Sequence, residues 1–132
     1  MSIASKNLGH KIVDKVNEVT SRFDYRGFLT RVRPLEKYDR DDAFSYILIP
    51  DWVDEGRIPC LIRFNFDLIR GARIGIFEIS KFSKDKEIEK ALACHKMITD
   101  LCNKLNRETA LLRFCLKKML EEEDPERYKK RV

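Results

Sequence analysis

Nowhere do these 132 residues hold an uninterrupted apolar run near the roughly 18 that a bilayer-crossing helix needs. Nor does a basic start lead into an apolar segment with a small-residue cleavage site, so the sequence predicts an intracellular, cytoplasmic protein with no membrane partner. The four cysteines, Cys60, Cys94, Cys102 and Cys115, include no CxxC pair, which argues against a zinc ribbon or a redox dithiol. Cys94 and Cys102 are too far apart for a disulfide, because eight residues of helix rise about 12 Å. A zinc site built from Cys94, His95 and Cys102 is disfavoured too, since neighbours on a helix point about 100° apart. Reduced thiols and no bound metal are expected. GxxxxGK[ST], GxGxxG, HExxH and GxSxG are all missing, so no ready-made catalytic chemistry and no cofactor are expected. Glycine and proline are scarce, and none interrupts residues 84–123.

What is present suits one domain. The length falls in the single-domain range, and 43% hydrophobic residues suffice for one core. The predicted domain spans residues 1–123, with a charged tail at 124–132 that frays. Net charge is +5, and the surplus sits at residues 83–120, with nine basic side chains against five acidic. Such an excess permits a nucleic-acid partner without requiring one.

Hydrophobic periodicity divides the chain into an α+β order. Leu8, Ile12, Val16, Val19 and Phe23 recur every three or four residues and predict an amphipathic first helix, capped by Ser2 or Ser5. Alternation then predicts four strands: 28–33, closed by Pro34; 43–49, ended by Pro50; and two within 57–82, folded back on each other around Arg70-Gly71-Ala72-Arg73, with Pro59 at the start of the first. The charged stretch Glu36 to Asp42 between the first two predicts a mobile loop, and Asp51 to Gly56 a turn that puts Trp52 on a loop. On the third strand, Ile62, Phe64, Phe66 and Leu68 share one face and Arg63, Asn65 and Asp67 the other. The fourth strand changes parity near Gly75, which fits a bulge or, as favoured here, a central strand covered on both faces. Short links between strands predict a four-stranded, mostly antiparallel meander, giving α-β-β-β-β-α.

Residues 84–123 keep helical spacing throughout. One helix of that length would be about 60 Å long, more than a domain of this size is wide. It is expected either to break near Asn103 to Glu108 into a helical hairpin, or to project its distal half into a homodimer through Leu112, Leu116, Met119 and Leu120.

Eight of the ten basic residues between 25 and 82 are arginine, whose planar fork suits phosphate and carboxylate. Arg31, Arg33 and Arg63 fall on the less apolar parity of their strands, and Arg70 and Arg73 sit at the predicted hairpin turn. These five are the candidate contacts for a polyanion such as nucleic acid. Trp52 is a candidate partner contact.

Pro50-Asp51 with Glu78 and Lys81 resembles the metal-dependent nuclease pattern written PD…(D/E)xK. That likeness implies two carboxylates on a divalent cation and a lysine near the attacking water. Here two residues rather than one separate Glu78 from Lys81, which puts them on opposite faces of a regular strand. In element order alone the chain resembles the small peptide-binding chaperones of bacterial secretion, which implies a peptide or protein partner. No motif residue carries that likeness, and those chaperones are typically acidic. The sequence therefore predicts a non-enzymatic, homodimeric binding domain with an arginine-bearing sheet face. A protein-interaction module and the nuclease are the alternatives.

Overall fold

The computed structural model describes residues 2–24, 30–32, 36–39, 44–48, 50–52, 61–78 and 85–126, and includes side chains for 2–24, 64–75, 88–89 and 91–126. Arg33, Lys81 and the tail from residue 127 onward lie outside the described residues. Arg31, Asp51, Trp52, Arg63 and Glu78 are placed by backbone alone. The fold is α+β, with a helix at each end of an antiparallel hairpin. Among the described residues no helix is long and apolar enough to cross a membrane.

The first helix, α1 (Ile3–Arg22), begins where expected, because the Ser2 hydroxyl accepts the Ser5 N–H at 3.1 Å. Its buried positions are Ser5, Gly9, Ile12, Val16 and Val19, spaced four and three in alternation. Small residues therefore form the N-terminal end of the seam, where the sequence suggested Leu8, which is only partly buried.

β5 (Leu61–Asp67) and β6 (Gly71–Glu78) are the expected hairpin. Phe64, Phe66 and Leu68 are completely buried, as alternation requires, each contributing about 1.5–3 kcal/mol by leaving water. The register shifts between Arg63 and Phe64, so that Ile76 opposes Arg63, Ile74 opposes Phe64, and Gly75 is the extra residue. Gly75 thus marks a bulge. The central position favoured for this strand is corrected, since among the described strands β6 pairs with β5 alone. The bulge explains the change of parity, because it brings Phe77 opposite Ile62, in phase with Phe64.

Upstream of the hairpin the strand boundaries differ from those expected. β1 (Thr30–Val32) pairs antiparallel with β4 (Pro50–Trp52) in a separate ribbon. Trp52 therefore lies on a strand, and Pro50 begins one, a position where its missing N–H is tolerated. Glu36 to Asp39 is no loop: as β2 (Glu36–Asp39) it pairs with β3 (Phe44–Leu48), and β3 pairs with β5. A charged strand needs no apolar face when backbone pairing supplies its contacts, and charge at an edge discourages further pairing.

The last helix, α2 (Asp85–Glu123), is one unbroken helix of 39 residues, about 58 Å long. The helical hairpin is corrected, since the helix does not fold back, and of the residues expected at a homodimer interface Leu116 and Leu120 are buried within this chain. α1 packs antiparallel along it, with Lys15 3.9 Å from Glu108 and Ser5 bonded to Glu123. β6 packs on α2 as well, so one long helix carries both the first helix and the hairpin. Ile12, Val16, Phe64, Phe66, Met97, Leu101, Leu105 and Leu116 belong to a single buried cluster.

Candidate anion-binding site at the β5–β6 turn

The turn between β5 and β6 is fixed from both sides. From within, Asp67 Oδ1 accepts the N–H groups of Ile69 at 2.8 Å and Arg70 at 3.0 Å, a side chain standing in for a backbone acceptor. Gly71 follows with φ of +88°, a conformation that L side chains avoid.

From outside, α2 grips the same residues. The Ala72 N–H donates to Asn106 Oδ1 at 2.7 Å, while Asn106 Nδ2 donates to the Ala72 carbonyl at 3.0 Å. Both backbone groups of Ala72 thus point away from β5, and one amide side chain occupies the place of a neighbouring strand. Only one orientation of the Asn106 amide satisfies both bonds.

Arg113 completes the grip. Its Nη1 donates to the Ile69 carbonyl at 3.3 Å, its Nη2 to the Asn106 carbonyl at 2.9 Å, and its Nε to Thr109 Oγ1 at 2.9 Å. Thr109, fully buried, donates in turn to the Leu105 carbonyl at 2.7 Å. Burial pushes the Arg113 guanidinium below its usual pKa, and the charge of Asp67 opposes that shift.

Arg70 and Arg73 project from this fixed turn and are exposed. Among the described residues neither makes an ion pair. Arg113 is bonded to carbonyls and a hydroxyl, so it brings charge without a carboxylate contact. The turn therefore carries three guanidinium groups beside one acid, Asp67, whose Oδ1 is occupied by two backbone donors.

The remaining candidates fall elsewhere. Arg31 is opposite Asp51 in the β1–β4 ribbon, and Arg63 is opposite Ile76 in the hairpin. Glu78, on β6, is opposite Leu61; Asp51, on β4, is opposite Arg31; and Lys81 lies outside the described residues. Of the residues expected at a dimer interface, Leu116 and Leu120 lie in the chain's own core, while Leu112 packs against it part-buried and Met119 is half-buried. Leu111 and Phe114 are exposed instead, at 72% and 58%.

Asn106, Thr109 and Arg113 were not anticipated. One signal was present: three polar residues spaced three and four apart interrupt an apolar helix and so share a face. Comparison with protein-family models, with curated proteins and with solved structures finds no match for this chain.

Proposed function

We propose that this chain is a non-enzymatic, cytoplasmic binding domain for a polyanion, with nucleic acid the leading candidate, and that Arg70 and Arg73 at the β5–β6 turn are its primary contacts. One observation carries this reading: among the described residues, two exposed arginines without ion pairs stand on a hydrogen-bonded turn beside a third, Arg113, that is bonded to carbonyls and a hydroxyl. Unpaired guanidinium groups bind phosphate without first giving up a protein partner. In this reading β2, β3, β5 and β6 form one antiparallel sheet, and Arg63 on β5 is a further candidate contact. Arg31, on β1, contributes less, and Arg33 lies outside the described residues.

A mobility-shift titration with a single-stranded oligonucleotide at about 50 and 200 mM salt tests the reading, since phosphate-driven affinity falls steeply between those conditions. Binding that weakens with salt, with a log–log slope lowered by about 0.7 in Arg70→Ala and again in Arg73→Ala, supports it. Absence of binding at the lower salt overturns it.

A second reading has its own observation. Leu111 and Phe114 are large, apolar and exposed on α2, which suits a peptide or protein partner. That partner would bind with little salt dependence and be lost in Phe114→Ala, and binding would be unaffected by Arg70→Ala.

A further inference from the structure

We infer that Asn106 and Arg113 are positioning residues for the polyanion site, holding the β5–β6 turn in the conformation that presents Arg70 and Arg73. The inference rests on the polyanion reading above. Three backbone groups of the turn are engaged by α2: Asn106 takes both backbone groups of Ala72, and Arg113 takes the Ile69 carbonyl. Gly71, between those anchors, has no room for a side chain, because a Cβ there would collide with Asn106 Oδ1 and sit 3.0 Å from Arg113 Cζ. The turn is pressed onto the helix, and the two exposed arginines are the residues that flank the pressed segment.

A hairpin turn carrying two long cationic side chains loses conformational freedom when it binds. Pinning its backbone beforehand removes part of that loss, so affinity gains without any added charge. The electrostatic contribution depends on the number of phosphates neutralised and appears in the salt slope. The positional contribution does not alter that number, so it shifts affinity at every salt concentration by the same factor. Asn106 and the hydrogen-bonding fork of Arg113 act on the second quantity, whereas the charges of Arg70 and Arg73 act on the first.

The experiment measures affinity of the full-length chain for a single-stranded oligonucleotide across several salt concentrations. The variants are Asn106→Ala, which removes the bonds to Ala72 and changes no charge, and Arg113→Lys, which keeps the charge and loses the fork. Circular dichroism and thermal melts establish that each is folded at the assay temperature, and either variant alone suffices if the other is not. The expected result is affinity about three- to tenfold weaker at each salt concentration, with the wild-type slope. Amide exchange at Ala72 should also quicken in Asn106→Ala. A purely structural role lowers the melting temperature but leaves affinity at wild type below it, and that outcome overturns the inference while the lowered slopes of Arg70→Ala and Arg73→Ala keep the polyanion reading in place. If those two arginine variants bind like wild type, the underlying reading is what fails.

Discussion

A methyl group at position 71 has nowhere to go. Gly71 combines φ of +88° with contact to Asn106 and Arg113, so Gly71→Ala adds backbone strain to a steric conflict. The expected cost is about 1–3 kcal/mol or more, read as a lowered urea midpoint at unchanged slope. A variant as stable as wild type would show that the turn can leave the helix freely. Cysteine reactivity gives a second test of how the core is distributed. Cys94 and Cys102 are buried, and burial pushes the Cys102 thiol up to about 12, whereas Cys115 is exposed. In a Cys60→Ser background one thiol should react promptly with a thiol reagent, and two only after denaturant is added. Rapid reaction at all three would contradict the packing of α2.

α2 decides which element contributes what. Leu116 and Leu120 are buried under α1, while Leu111 and Phe114 on the same helix face solvent. Leu116→Ala should therefore destabilise the monomer by about 2–5 kcal/mol, and Leu111→Ala by less than about 0.5. Chemical denaturation separates the two, and a concentration-dependent midpoint in wild type would show the expected homodimer. Periodicity made α1, the hairpin and the long helix legible, because each buries one face and repeats accordingly. The helix's partner was not legible, because a stripe of leucines says only that something covers it. That α1 does so depends on the whole chain. Asn106 shows the same limit: it lies in the stretch where the length of the helix suggested a break, yet its amide is directed at β6. Arg70 and Arg73 could be read from the turn between two alternating strands, but Arg113 lies some 40 residues further on, and only the packing of β6 against α2 brings it there.

Across the whole molecule, the two helices are fastened at the far end from the hairpin. Glu123, in the last turn of α2, accepts the Ser5 hydroxyl and reaches the Ser2 N–H at 3.4 Å. α1 has no acidic residue in its own first turn, so a carboxylate borrowed from α2 faces the positive end of its dipole. Hydrogen bonds from Ser2 first, then Ser5, hold the Glu123 carboxyl below the ordinary carboxylate pKa. The sign follows directly. A group whose folded pKa is depressed binds its proton more readily when unfolded, so its contribution to stability is complete above the unfolded value, about 4.3 for glutamate. That contribution disappears as pH falls through the lower folded value. Urea unfolding of wild type and Glu123→Gln should therefore show a constant difference from neutral pH down to about pH 5, and a narrowing one below the ordinary glutamate value. The amide keeps an acceptor for Ser5, so the variant isolates the charge. A difference that stays constant into acid would mean that the fastening of α1 to α2 owes nothing to the carboxylate's ionisation.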